Sequence, residues 1–383
     1  MSPKVLIVGG GPAGSACGIT TAKAGLETIV FEKGGPDRDK VCGDGILPKA
    51  QKYLDSLNLY GEIKEKGIEV QKIVTHLGNS KPIVAELPVI NLQRSVLDKL
   101  MRDKVRSSGG KLLYNSNINS IKISSEGVLI EDSNQNSYKG DVLVLSTGAR
   151  INLARKLGFS FSKENIGVAI RGYMSNNLRI DHNLIYFSKD MDSFGWILPC
   201  PGNVFNVGLG SQGPKNLLKG LFETFIQSTV KEILGNSKFI SKPKGYPLRI
   251  GLRKGDYVLD RVLITGENID CDWDLLGAGI GNAIETGIVA GDVIIKSKFP
   301  YSKEQLSTYE NVIKKRMGKT HKGFSSARNF LKSSLGRYLF IKLSTSSIGA
   351  RKSLAKIMGG DLQPDNLFSL RGLLKKSLWK ERC

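Results

Sequence analysis

The chain has 383 residues, 40% of them hydrophobic, which suffices for two or three domains of the usual ~100–200 residues with real cores. No run reaches the roughly 18 apolar residues needed to span a bilayer, and a strand-like run begins at residue 4, so neither a membrane span nor a leader peptide is expected. Lysine and arginine outnumber aspartate and glutamate by 56 to 35, a net +21, and the excess is concentrated: positions 296–383 hold 20 basic and 5 acidic residues, a net +15.

Lys4-Val5-Leu6-Ile7-Val8 reads as a buried parallel strand, being short, apolar and β-branched. Gly9-Gly10-Gly11-Pro12-Ala13-Gly14 follows, then a helical stretch closed by Gly25, then a second strand from Leu26 to Phe31 with Glu32 at its end. Gly9 allows a sharp turn, Gly11 lets backbone amides approach a pyrophosphate, and Gly14 lets helix and strand pack closely. The helix N-terminus adds partial positive charge, and Glu32 is placed to accept from a ribose hydroxyl. Strand, turn, helix, strand and acid in this order predict a dinucleotide site.

A polar loop begins at Lys33, and Lys40-Val41-Cys42-Gly43-Asp44-Gly45-Ile46 reads as backbone held close to a ligand or as plain loop lining. Lys49 to Lys66 is expected to be helical, and Ile73 to Ile90 a group of strands. Gln93 to Ser107 is a helix that carries Arg94 and stops at Gly109-Gly110. Short strands are expected at Lys111 to Tyr114, Ile118 to Ile123 and Val128 to Ile130. Asp141 to Leu145 is another apolar strand, running into the small-residue turn Ser146-Thr147-Gly148-Ala149.

From Gly167 to Gly210 the pattern turns to antiparallel strands rich in aromatics, among them Phe194-Gly195-Trp196-Ile197-Leu198-Pro199. A helix is expected at Leu217 to Leu234, with apolar residues at 217, 218, 221, 222, 225 and 226. Gly208-Leu209-Gly210-Ser211-Gln212-Gly213 imitates the first glycine motif. No second strand with a closing acid follows it, so it reads as a strand end. Val258 to Thr265 is a strand ending in Gly266-Glu267-Asn268, and Leu275 to Ala283 opens a helix through Gly277, Gly279 and Ile280. That turn suits an anion or carbonyl cradle, or helix packing through small residues. The cysteines at 17, 42, 200, 271 and 383 have neither metal-ligand nor disulfide-framework spacing. A reduced, cytoplasmic protein without a metal is expected.

These pieces together resemble the flavoprotein family that includes the aromatic hydroxylases and, within it, the geranylgeranyl reductases. The resemblance covers roughly residues 4–300. It is carried by Gly9 to Gly14 with Glu32, Lys40-Val41-Cys42-Gly43, Arg94, Phe194 to Pro199 and Gly266 to Ile280. It implies an α/β fold: an FAD-binding Rossmann-like domain (p-hydroxybenzoate-hydroxylase-like) with an interleaved antiparallel-sheet substrate domain and a helical C-terminal region. The implied boundaries are 1–66, 92–155 and 256–298 for FAD, 67–91 and 156–255 for substrate, and 299–383 for the basic helical region. The implied FAD contacts are Gly9, Gly11, Pro12, Ala13, Gly14, Glu32, Lys33, Cys42, Gly43, Arg94, Gly148, Glu267, Gly277, Gly279 and Ile280. Phe194, Trp196 and Pro199 would line a substrate tunnel. The family usually has aspartate at Glu267, a proline ahead of Gly277, tyrosine at Phe194 and phenylalanine at Leu198.

The activity so implied is reduction of isolated prenyl double bonds on lipids or related isoprenoids, with NADPH or ferredoxin as external donor. An alkene without an electron-withdrawing group needs a proton matched to the hydride, and Cys42 is the implied acid. The competing role for Cys42 is a small buried hydrophobe. A monooxygenase of the same fold is the alternative activity. A non-catalytic basic protein gripping phosphates is the other, although no nucleic-acid module is recognisable. In the basic region Phe330, Leu331, Leu335, Leu339 and Phe340 lie among Lys332, Arg337 and Lys342, with Leu335, Leu339 and Leu343 at i+4 spacing. Arg351, Lys352, Lys356, Arg371, Lys375 and Lys376 extend the positive charge. Such a helix either docks on the cytoplasmic face of an anionic membrane or packs its apolar side on the flavin domain.

Overall fold

Val5, Leu6 and Ile7 have no exposed surface because the strand they form, Lys4–Val8, lies inside a six-stranded sheet. The structure, a computed structural model, describes residues 3–78, 80–162 and 166–368. Across the sheet the order is Val258–Leu259, Val262–Ile264, Val142–Leu145, Lys4–Val8, Glu27–Phe31 and Lys111–Leu113. All neighbours are parallel except the Val258–Leu259 edge hairpin. Register fixes what the sheet presents: Val8 pairs with both Leu145 and Phe31, and Leu145 pairs with Ile264. The carboxyl ends of these strands therefore deliver Gly9, Ser146, Glu32 and Thr265 to one edge, where open α/β sheets bind ligands.

The helices Pro12–Lys23 and Ile280–Lys296 pack against each other at backbone distance. A Cβ at Gly287 would lie 2.0 Å from the Ala13 carbonyl oxygen, so the second helix must carry glycine there. This contact brings two helix N-termini side by side, at Gly11 and at Gly279.

A second, eight-stranded sheet runs in the order Lys244–Arg249, Ile166–Ser175, Val204–Ser211, Ser193–Cys200, His182–Phe187, Ile68–Leu77, Ile83–Asn91 and Gly45–Ile46. It is antiparallel except where His182–Phe187 runs parallel to Ile68–Leu77. The second glycine motif lies at the end of Val204–Ser211, as its missing acid implied. Its glycines make room across the sheet: a Cβ at Gly208 would lie 2.1 Å from the Trp196 ring. Ile118–Ser124, Gly127–Asp132 and Ser137–Gly140 form a separate three-stranded sheet.

Three expectations are corrected. Lys49 to Lys66 is two helices, Pro48–Ser56 and Tyr60–Lys66, parted at Asn58, whose φ of 55° is left-handed. The segment 217–234 runs as Leu218–Phe225, a π-turn Ile226–Val230 and Lys231–Leu234. Leu218, Phe222 and Phe225 face inward there, while Leu217 and Leu221 are exposed. The basic region breaks at Ser333 into Lys303–Lys332 and Ser334–Ser346, followed by Ile348–Gly359. The Ser333 hydroxyl accepts from the Gly336 amide at 3.0 Å, an N-cap that starts a new helix with a new phase. Phe340 consequently turns inward to join Phe324 and Leu331 against Ile73, Leu77 and Val89, while Leu335 is 63% exposed. Arg371, Lys375 and Lys376 lie outside the described residues.

Candidate active site

One cavity of about 580 Å³ opens where the two sheets meet, within the size range of cofactor and small-ligand sites. At one end it is lined by Gly9, Gly11, Pro12, Ala13, Glu32, Lys33, Arg38, Gly148 and Asn152. Its middle holds Lys40 to Gly45, Arg94, Gly266, Glu267, Asp272 and the turn Gly277 to Ala283. At the far end the lining is apolar, with Ile73, Leu77, Val89, Phe187, Met191, Phe324, Leu331, Phe340 and Leu354.

Glu32 is 2% exposed, and its carboxylate is partly engaged by its own surroundings. It accepts from the Gly10 amide at 3.1 Å and the Gly34 amide at 2.8 Å, and Arg38 approaches at 3.3 Å. It thereby fixes the glycine turn and the Lys33–Gly34 loop, with lone pairs left over for a sugar hydroxyl. Lys33 is exposed at the cavity rim, and partial desolvation followed by the Arg150 charge lowers its pKa. Arg94 is held edge-on by Asp98, at 2.8 Å from Nε and 2.9 Å from Nη2. Burial opposes ionisation of Asp98, but the Arg94 guanidinium outweighs it and holds the carboxyl below its usual range.

The loop that carries Cys42 is tied down by the second sheet. The Asn206 amide donates to the Cys42 carbonyl at 2.8 Å and to Asp44 Oδ2 at 2.7 Å. Tyr173 donates to the same Asp44 oxygen at 2.6 Å, and the Trp196 indole donates to Asn206 at 2.8 Å. Arg171 grips the start of the loop through Asp39, at 2.6 Å, and through the Lys40 carbonyl, at 2.9 Å. Burial pushes the Cys42 thiol above its ordinary value, against the opposing Arg94 charge, so it remains protonated at neutral pH. Gly43 packs beneath the Trp196 indole.

Phe194 and Trp196 face the cavity, but Pro199 does not. Strand alternation puts 194, 196 and 198 on one face, so Leu198 is the third lining residue and Pro199 lies on the other side. The Pro199 carbonyl instead accepts from Asn91 at 2.9 Å. Glu267, on the turn after Val262–Ile264, pairs with Lys40. Asp44, Asp98, Tyr173, Asn206 and Asp272 were not assigned roles from sequence. Asp98 was legible as the i+4 partner of Arg94, whereas Tyr173 and Asn206 are brought together by strand register and meet the loop residue Asp44.

The residues fit an FAD dinucleotide on three observations. Gly11 has an ordinary backbone conformation, and a Cβ there would meet nothing nearer than Arg38 Nη2 at 3.7 Å, so no protein atom requires glycine. Glu267 Oε1 is buried with no hydrogen-bond partner among the described residues, as suits an acceptor awaiting a ligand hydroxyl. Neither helix N-terminus at the cavity has a side-chain cap, leaving amides for an anion or carbonyl.

Comparison with known proteins decides the class. A pyridine nucleotide-disulphide oxidoreductase family model matches residues 3–178. Digeranylgeranylglycerophospholipid reductase 3 of Methanosphaera stadtmanae is 27% identical over 97% of this chain and 98% of its own. Menaquinone reductase of Mycobacterium tuberculosis is 26% identical over 85% of this chain and 83% of its own. This chain is an FAD-dependent oxidoreductase that resembles the geranylgeranyl reductases. Solved structures give the flavoprotein the same fold. A geranylgeranyl bacteriochlorophyll reductase-like protein of Thermoplasma acidophilum superposes with a TM-score of 0.76 at 21% identity, covering 98% of this chain and 95% of the other. A halogenase mutant in complex with FAD gives 0.75 at 15% identity, covering 99% and 89%.

Proposed function

We propose that this flavoprotein saturates isolated double bonds in the prenyl chains of lipids. The observation that carries the reading is the cavity's change of character: a dinucleotide end built from helix N-termini leads past the Cys42 loop into a long apolar end. The relatives named as reductases of a digeranylgeranyl lipid and of menaquinone support it, since both substrates are isoprenoids. Gly9 to Gly14, Glu32, Lys33, Arg94, Gly148, Glu267 and Gly277 to Ile280 would hold FAD. When bound and reduced, FAD supplies the hydride, and its reduction falls to NADPH or ferredoxin. Cys42 supplies the matching proton from its Sγ, and Arg94 offsets the thiolate charge left behind. Phe194, Trp196 and Leu198 hold the chain against the Cys42 loop, and the apolar wall excludes water.

Hydride plus proton adds two mass units per bond, which makes the test direct. Mass spectrometry of lipids from a host expressing the protein is expected to show prenyl chains heavier by steps of two mass units, one step per double bond reduced. The Cys42→Ser protein should purify with FAD and lose most of this activity, because serine is a far weaker acid. Unchanged lipids from a host containing FAD-loaded wild-type protein would overturn the reading.

The substrate's location points to a peripheral site on the cytoplasmic membrane face. Among the described residues no helix is long and apolar enough to cross a membrane. Ser334–Ser346 walls the cavity with Phe340 and exposes Leu335 and Tyr338 outward, with Lys342 beside the Tyr338 ring. Basic groups near an anionic leaflet contribute about 1 kcal/mol each, screened over a Debye length of roughly 8 Å. Flotation with vesicles is expected to rise with anionic lipid and fall with salt. Equal recovery on neutral vesicles would reduce the basic charge to a solvated surface.

A further inference from the structure

Two carboxyl groups share the middle of the cavity with one lysine. Glu267 is 6% exposed and takes the Lys40 ammonium on Oε2, leaving Oε1 without a partner among the described residues. Asp272 is 5% exposed and lines the same cavity, and its side-chain contact is the Cys271 thiol at 3.8 Å. Its carboxyl group is pressed against the turn that starts the Ile280–Lys296 helix: a Cβ at Gly279 would lie 1.8 Å from Asp272 Oδ1. No amide of that helix donates to it among the described hydrogen bonds, so the helix N-terminus does not satisfy it.

The cations that face Asp272 are already engaged. Lys40 is paired with Glu267, and Arg94 bonds Asp98 through Nε and Nη2 and also hydrogen-bonds Cys42. Lys49, from the neighbouring Pro48–Ser56 helix, bonds Asn282 at 2.6 Å and Glu285 at 2.9 Å. The Cys271 thiol beside Asp272 is itself held protonated by burial. A second buried carboxylate with no cation of its own is costly, and two adjacent carboxyls keep one proton between them. Burial first, then the Glu267 charge, raise the Asp272 carboxyl well above its ordinary value.

Resting on the flavoprotein assignment above, we propose that Asp272 is the proton-bearing residue of the cofactor site: FAD binds the protein in which Asp272 is a neutral O–H donor. Filling the cavity displaces the water that would solvate a second negative charge, so an ionised Asp272 must take up a proton before the cofactor can seat. Binding is thereby linked to one proton, and affinity falls as pH rises past the ionisation of free Asp272. The fall approaches tenfold per pH unit, as linkage of one proton requires. Asparagine keeps the shape and a donor but has no proton to lose.

The test uses the full-length apoprotein titrated with FAD, followed by quenching of flavin fluorescence, from about pH 6 to about pH 9. The wild type is expected to weaken with rising pH, approaching tenfold per unit once free Asp272 ionises, and Asp272→Asn by less than about threefold across the whole range. Glu267→Gln frees Lys40 for Asp272, lowers its pKa, and should move the wild-type weakening to lower pH. Circular dichroism at each pH shows that the variants remain folded. Parallel curves for wild type and Asp272→Asn, both binding FAD, would overturn the role of Asp272. Absence of FAD binding by the wild type at every pH would overturn the cofactor assignment instead.

Discussion

Replacing Gly11 by valine is expected to abolish FAD binding while leaving the protein folded. The backbone there, with φ −82° and ψ −174°, is open to any residue, and the nearest atom to an added Cβ is the flexible Arg38 Nη2 at 3.7 Å. Stability should fall by only about 1 kcal/mol, the cost of a poorer N-cap. The added methyl groups, however, stand in the cavity between the helix amides and the diphosphate they would hold. A loss of at least about a hundredfold in affinity, roughly 3 kcal/mol, follows. Gly14→Ala is the contrast. Its Cβ would lie 1.9 Å from the Gly9 carbonyl oxygen, so this change should disrupt the fold whether or not cofactor is present. Flavin absorbance of the purified protein and a thermal melt read the two effects separately. A Gly11→Val protein that purifies with a full complement of FAD would remove the diphosphate from this turn.

The difference between those two glycines shows which parts of the site were legible in the sequence. The first βαβ unit is local: its turn, its helix N-terminus and Glu32 fall within thirty-three residues, and each has a distinct steric or electrostatic reason. The Gly277 to Ile280 helix start read locally as either a cradle or packing through small residues, and the role of Glu267 came only with the family resemblance. What the chain assembles from distant strands was not legible. Asp44 meets Tyr173 and Asn206 across more than a hundred residues, and nothing in local periodicity names those partners. Pro199 was assigned with its neighbours as a motif, but the period of two turns it away from Phe194 and Trp196. The i+4 repeat of Leu335, Leu339 and Leu343 was correct as a pattern. It failed as a packing face because the Ser333 cap resets the helix phase and the core selects Phe340 instead.

Asp44→Asn is expected to cost turnover at least about tenfold with FAD retained, and to flatten part of the protein's stability–pH profile. Asp44 has no exposed surface, and one of its oxygens accepts from both Tyr173 and Asn206 while the other faces the Arg94 amide at 3.3 Å. Asparagine can reproduce one acceptor but presents an NH2 group to the remaining donor, losing a buried hydrogen bond worth about 1–3 kcal/mol. Because Asn206 also holds the Cys42 carbonyl at 2.8 Å, the slack passes to the loop that carries the thiol. The pH dependence has a definite sign. Burial pushes the Asp44 carboxyl up to about 6 from an ordinary 3.8, against the pull of Arg171 and its hydrogen bonds. The folded state therefore holds this proton more tightly than the unfolded state does. The stabilisation is fully present below pH 3.8 and is lost as pH rises through about 6. Between pH 7 and pH 5 the wild type should gain about 1 kcal/mol from Asp44 that the variant does not. Denaturant unfolding of both proteins at the two pH values measures that difference, and single-turnover reoxidation with a prenyl substrate measures the loop. Identical pH increments, together with unchanged turnover, would leave Asp44 as a buried acid with no hold on Cys42.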